Sequence, residues 1–197
     1  MKIKFQAMGS YQTNCYILSN SKGDIIIDPG MGASSWVRKN VSNPVAILNT
    51  HGHFDHVWSN DELSRTLGVP IYCPRDDVFM LENDIFGHGT PPSRAEFQVK
   101  PDEEVELLGL GLKFWHFPGH TPGCSAIEVG DCLFSGDFLF KGSIGRFDFP
   151  YSNSEDMKKS IKKAMAFQKD LRVYPGHGES TSLKVEQKKL PTWLRFI

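Results

Sequence analysis

The sequence predicts one mixed domain in which strands are covered by helices. Three observations carry that prediction. Short β-branched runs alternate with turn residues, an amphipathic stretch of helical period follows them, and no repeat or change of composition divides the 197 residues. Hydrophobic residues at 40% and charged residues at 23% are ordinary for a folded soluble chain and argue against intrinsic disorder. A net charge of -1 gives no electrostatic reason to expect nucleic acid or an anionic membrane as a partner.

From the amino terminus, Ile3 to Met8, Asn14 to Leu18 and Ile25 to Asp28 read as antiparallel strands, divided by Gly9-Ser10 and Ser21-Lys22-Gly23. A helix is expected from about Ser34, a suitable N-cap, and Val45 to Asn49 reads as a buried strand leading directly into His51. A second helix is expected over Asp61 to Leu67. Residues 83–94 contain Gly87, Gly89, Pro91 and Pro92 without clear periodicity, so they are expected to form a loop insertion that walls a functional cleft, with Phe86 and His88 toward substrate. Strands return from Val105, at Leu112 to Phe117, Ser125 to Val129 and Cys132 to Ser135, the last two joined by a Gly130-Asp131 turn. Ser154 to Gln168 places Met157, Ile161, Ala164 and Met165 mostly on one face with lysines elsewhere, which predicts an amphipathic helix. Arg172 to Tyr174 reads as a short strand and Thr181 to Leu190 as the last helix. One domain over 1–197 is the expectation.

The most apolar windows, such as Ile25 to Ile27 and Val45 to Leu48, are strand-length, far short of the ~20 residues of a membrane-spanning helix. Gln6, Ser10, Gln12, Thr13 and Asn14 break up any apolar core of a signal peptide, so a cytoplasmic address is expected. Cys15, Cys73, Cys124 and Cys132 show no CxxC spacing and read as structural thiols.

The chemistry concentrates in Thr50-His51-Gly52-His53-Phe54-Asp55-His56, where three of the chain's 7 histidines and one carboxylate follow a strand. In extended backbone His51 and His53 project to the same side, and a turn from Phe54 brings Asp55 and His56 toward a neighbouring point, so one loop can serve two adjacent cations. Pro118-Gly119-His120-Thr121-Pro122-Gly123 and Pro175-Gly176-His177-Gly178 each place an imidazole at a strand end, and Ser135-Gly136-Asp137 adds a carboxylate able to bridge two ions. Nitrogen and carboxylate donors without thiolate fit zinc, iron or manganese. His88 and His116 lack a spacing partner, and Trp58, Trp115 and Phe114 read as core.

These motifs, in this order, resemble the metallo-β-lactamase superfamily over nearly the whole chain. The resemblance implies an α+β fold, a four-layer αββα sandwich with the metal site at one edge of the sheets. It implies two divalent cations, zinc foremost with iron or manganese as alternatives. His51, His53 and His120 would hold one, Asp55, His56 and His177 the other, and Asp137 would bridge them. Asp28 matches a position that supports the site by orienting a ligand imidazole, and is equally suited to forming the turn before Pro29. The family commonly has glycine three residues beyond His56, where this chain has Ser59.

The run Ser135 to Phe140 followed by Gly142-Ser143-Ile144-Gly145-Arg146-Phe147-Asp148-Phe149-Pro150 resembles the small bacterial glyoxalase II-like hydrolases. It implies hydrolysis of a small-molecule thioester, such as an acylglutathione, by hydroxide generated at the metals, with Asp55 as ligand and orienting group. Arg146 matches a basic substrate contact, with a surface pair to Asp148 as the alternative. The competing family is the persulfide dioxygenases, whose single non-haem iron would use His53, His120 and Asp137 or a related trio. A structural zinc site in an interaction protein is disfavoured by seven candidate ligands without a cysteine. The sequence does not disclose the oligomeric state.

Overall fold

The computed structural model describes residues 1–197. Strands β1 (Lys2–Met8), β2 (Thr13–Asn20) and β3 (Gly23–Ile27) form an antiparallel meander. Helix α1 (Ala33–Asn40) then crosses over, so that β4 (Pro44–Leu48) lies parallel to β3. Helices α2 (Phe54–Val57) and α3 (Asn60–Leu67) return the chain to β5 (Ile71–Pro74), and α4 (Val78–Glu82) precedes β6 (Phe97–Val99), each strand parallel to its predecessor. The first sheet therefore has the order β1-β2-β3-β4-β5-β6.

The second sheet begins with the antiparallel strands β7 (Glu104–Leu107), β8 (Leu110–His116), β9 (Ser125–Val129) and β10 (Cys132–Gly136). A small hairpin of β11 (Leu139–Phe140) and β12 (Ser143–Ile144) follows, and α5 (Ser154–Met165) crosses over to set β13 (Arg172–Pro175) parallel to β10. β14 (Thr181–Ser182) closes that sheet, before α6 (Leu183–Gln187) and α7 (Leu190–Trp193).

Period-2 alternation decides the layering. Ile25 and Ile27 of β3 face the second sheet and pack with Phe114, Ile127 and Phe134, whereas Ile26 between them faces Val37 of α1 and Leu63 of α3. On the other sheet Leu133 and Val173 turn outward onto Met157, Ile161 and Ala164 of α5 and Leu183 of α6. Helix, sheet, sheet and helix are thus stacked, which is the αββα sandwich. No helix is long and apolar enough to cross a membrane.

Several local expectations need correction. Thr181 to Leu190 is not one helix. Thr181 and Ser182 pair with Val173 and Arg172, and Ser182 then caps α6 by accepting a hydrogen bond from the Val185 amide. The helix from Ser154 ends at Met165 instead of Gln168. β5 and β6, four and three residues long, and the short helices α2 and α4 offer too few residues for a readable period. Residues 83–94 carry neither helix nor strand. All four cysteines are free and buried, and Phe114 is fully buried between the sheets, while Trp58 and Trp115 are half-buried.

Both sheets contain a parallel pair, β3 with β4 and β10 with β13, and the carboxyl ends of these four strands meet at one edge. Backbone hydrogen bonds join the sheets there, from Asn14 N to Gly176 O at 2.7 Å and from Ser125 N to Thr50 O at 2.9 Å. Asp28 follows β3, His51 follows β4, Asp137 follows β10 and His177 follows β13, so the fold delivers them to a common point.

Candidate metal centre

The six histidine and aspartate side chains of the two expected trios lie together at this edge. Ligand-capable atoms of His51, His53 and His120 all lie within 4.8 Å of one another, and so do those of Asp55, His56 and His177. Asp137 stands between the trios: Oδ1 is 3.3 Å from His56 Nε2, and Oδ2 is 3.5 Å from His120 Nε2 and 3.4 Å from His177 Nε2. His177 Nε2 is also 3.3 Å from Asp55 Oδ2.

The imidazoles are oriented from behind. His51 Nδ1 is 3.1 Å from Thr50 Oγ1, His56 Nδ1 is 3.0 Å from Asp28 Oδ2, His120 Nδ1 is 2.7 Å from the Arg146 carbonyl, and His177 Nδ1 is 3.0 Å from the Tyr11 carbonyl. With Nδ1 so engaged, Nε2 is left to face the cluster. His51 Nε2, His53 Nε2, His56 Nε2, His120 Nε2 and Asp137 Oδ1 are buried without a hydrogen-bond partner. Five orphaned polar atoms converging on one point carry a desolvation cost that coordination to cations relieves, so the donor set fits two metal ions.

Asp28 sits at a positive φ of 48°, a conformation costly for most residues and least so for Asp, Asn and Gly. It accepts from Thr50 N at 2.8 Å and from Thr50 Oγ1 at 2.6 Å, besides facing His56. It also lies within reach of His51 and His56 as a third group of potential ligands, but both of its oxygens are already engaged. Ser59 has φ −93°, accessible to any residue, and its hydroxyl donates to Gly30 O at 2.7 Å, so glycine is not required there.

Burial pushes the His51 and His120 imidazoles below their usual pKa and takes His53 down to about 3. Burial acts on His56 in the same direction, but Asp55, Asp137 and Asp28 surround it and hold it well above the usual value. Burial also opposes charge on His177, which the bonds to Asp137 and Asp55 nevertheless raise to about 9. Asp55, despite burial, is held down to about 2 by His56, His177 and the Thr13 hydroxyl.

The remaining candidates divide. The Arg146 guanidinium makes a two-point pair with Asp148 at 2.9 and 3.0 Å and lies 4.1 Å above the Phe149 ring. His116 Nε2 bonds the Pro122 carbonyl at 2.9 Å, away from the cluster. His88 packs on Phe54, ring centres 4.2 Å apart, and Phe86 meets His53 at 5.2 Å, so the 83–94 segment reaches the cluster through aromatic rings. Phe149 adds a ring 5.9 Å from His53 and 6.0 Å from His120.

Sequence reasoning missed Thr13, whose hydroxyl donates to Asp55 Oδ2 at 2.6 Å from 42 residues away, and the carbonyls of Tyr11 and Arg146. No local pattern reveals such contacts. Asp77, which accepts from Gly52 N, Thr121 Oγ1 and Gly123 N, was missed as well.

Comparison with known proteins agrees with this geometry. The family model described as the metallo-beta-lactamase superfamily matches residues 8–177. The hydroxyacylglutathione hydrolase GloC of Haemophilus influenzae is 31% identical over 212 residues, covering 97% of each chain. Among solved structures, BLEG-1 B3 metallo-beta-lactamase superposes with a TM-score of 0.87 at 30% identity, covering 98% of this chain and 99% of that one. TTHA1623 in a di-iron-bound form gives 0.79 at 33% identity, covering 94% and 98%. With its motifs, its αββα layering and the placement of its histidines at one sheet edge, this chain belongs to the metallo-beta-lactamase superfamily.

Proposed function

We propose that the chain is a metal-dependent hydrolase whose substrate is a small thioester of the acylglutathione type. The observation that carries this reading is the junction of the two trios at Asp137, with buried, partnerless Nε2 atoms on both sides. His51, His53 and His120 would hold one cation, Asp55, His56 and His177 a second, and Asp137 would touch both. When bound, two such cations lower the pKa of a shared water from 15.7 toward about 7 and place positive charge beside a developing oxyanion. Zinc is the proposed metal, and the same nitrogen and carboxylate donors suit iron or manganese as alternatives.

The chain's own groups define the rest. Thr13 and His177 fix Asp55 Oδ2, which suits Asp55 to hold both a ligand position and the direction of an attacking water. His51, His56, His120 and His177 have Nδ1 committed to the protein and Nε2 to the cluster, so none of the four is free to protonate a leaving group. A thiol, with a reference pKa of about 8.5, departs as thiolate without such help, which is why a thioester suits this site. Phe86 and Phe149 offer an apolar wall beside the reacting centre, and Arg146 a cation for a substrate carboxylate. The relative named as a hydroxyacylglutathione hydrolase supports the same substrate class. Four free, buried cysteines fit a reducing compartment, in keeping with a cytoplasmic address.

The alternative is a mononuclear iron dioxygenase using His53, His120 and Asp137. The motifs quoted suit it as well, and in it Asp55 and His177 would face the cluster without holding iron. Parallel assays of lactoylglutathione hydrolysis and of oxygen uptake with a persulfide separate the two. Asp55→Asn is expected to lower hydrolysis by orders of magnitude with the fold intact. Activity within a few-fold of the parent would contradict the role given to Asp55.

A further inference from the structure

Asp77 is fully buried and has no cationic partner, yet both of its oxygens are engaged. Oδ2 accepts from Gly52 N at 2.9 Å and from Thr121 Oγ1 at 2.6 Å, and Oδ1 accepts from Gly123 N at 2.6 Å. Gly52 lies between His51 and His53, and Thr121 follows His120. Two donors therefore come from the His120 loop and one from the turn between His51 and His53, in a loop that further along also carries Asp55 and His56, and none comes from the His177 loop.

Two further features show that this contact is built. Asp77 occupies the N-cap position of α4, where an aspartate ordinarily accepts from its own helix, but its side chain makes no capping bond. The partner glycines are needed for the close approach. A Cβ on Gly52 would stand 2.8 Å from the Asp77 carbonyl oxygen, and one on Gly123 would stand 2.8 Å from Asp77 Cγ. A carboxylate withdrawn from water, diverted from its helix and received by two side-chain-free positions is placed to hold these loops in register.

We infer that Asp77 is a positioning residue that clamps the His51–His53 turn to the His120 loop and thereby sets the geometry of that trio ahead of that of the other. This rests on the metal reading of the cluster proposed above. Asp77 touches no ligand atom and acts only through backbone and hydroxyl donors. Its loss is expected to let the loops drift apart, with the affinity of the His51, His53 and His120 trio falling more than that of Asp55, His56 and His177.

The test is zinc titration of the metal-free protein against a chromophoric chelator, with anomalous difference density to locate each ion. The parent, Asp77→Asn, Thr121→Val and Thr121→Ser are compared. Asparagine keeps the shape but presents an amide donor to one of the three donors, and valine removes the Thr121 hydroxyl while leaving the two backbone bonds. Asp77→Asn is expected to weaken the all-histidine trio by about 10- to 100-fold, the range for groups that support metal ligands. Thr121→Val should show a smaller loss at the same trio, and Thr121→Ser should match the parent. Equal losses at both trios, or none, would overturn the inference. Should Asp77→Asn fail to fold, Thr121→Val decides alone, and unchanged affinity there overturns it. A parent that binds no zinc at the cluster would instead overturn the metal reading.

Discussion

Asp28 Oδ2 and His56 Nδ1 stand 3.0 Å apart, both buried, across the junction where β3 and β4 end. The same oxygen receives the Thr50 hydroxyl, which lies 3.1 Å from His51 Nδ1, so one carboxylate backs an imidazole in each trio. Asp28 therefore fixes which nitrogen each ring turns toward the cluster.

Replacing that carboxylate separates orientation from backbone conformation. Asparagine tolerates the positive φ of Asp28, so Asp28→Asn is expected to fold while metal affinity or turnover falls by about 10- to 100-fold. Equilibrium metal titration beside thermal unfolding of the metal-free variant checks this. Parent-like affinity would leave Asp28 only its role in the turn before Pro29.

Proton release distinguishes the trios. In the metal-free protein His56 is held above its usual pKa and His177 at about 9, so both carry a proton at pH 7, whereas His53 at about 3 and the lowered His51 and His120 are already neutral. Ligation through Nε2 needs the neutral ring. Loading the all-histidine trio should release no proton, and loading the trio of Asp55, His56 and His177 should release up to two. Calorimetry in buffers of different ionisation enthalpy measures this. The raised value also makes protonated His177 stabilising in the metal-free chain below about pH 6.5, a contribution lost as pH rises through about 9, and the raised His56 acts in the same direction.

Two roles of Arg146, a carbonyl that holds His120 and the proposed substrate contact of its guanidinium, are separable by mutation. Its carbonyl fixes His120, and its exposed guanidinium is shared between Asp148 and the Phe149 ring. Arg146→Ala leaves the carbonyl in place, so KM for a carboxylate-bearing thioester should rise several-fold while kcat, and KM for a neutral thioester, stay near the parent. Asp148→Ala frees the guanidinium and should lower the same KM. Equal effects of Arg146→Ala on both substrates would reduce the side chain to its pair with Asp148.

What the sequence made legible was local. His51, His53, Asp55 and His56 fall within six positions after one strand, and strand-end glycines mark His120 and His177, so the candidate cluster can be read without a structure. Alternation in β3 likewise exposes the core pattern. Asp77 and Thr13 could not be read, because their partners lie 25 to 46 and 42 residues away and an isolated Asp or Thr has no pattern of its own. Thr181 to Leu190 differs from its expected single helix for a related reason: no local pattern reveals that Thr181 and Ser182 pair with β13 before Ser182 caps α6.

In the proposed centre seven side chains hold two ions, one on each side of Asp137. Elemental analysis of protein purified from metal-replete cultures, combined with an anomalous difference map of its crystals, tests it most directly. About two transition-metal ions per chain are expected, one contacting His51, His53 and His120 and one contacting Asp55, His56 and His177. A single fully occupied ion with Asp55 and His177 unligated would contradict it and favour the oxygen-dependent chemistry instead.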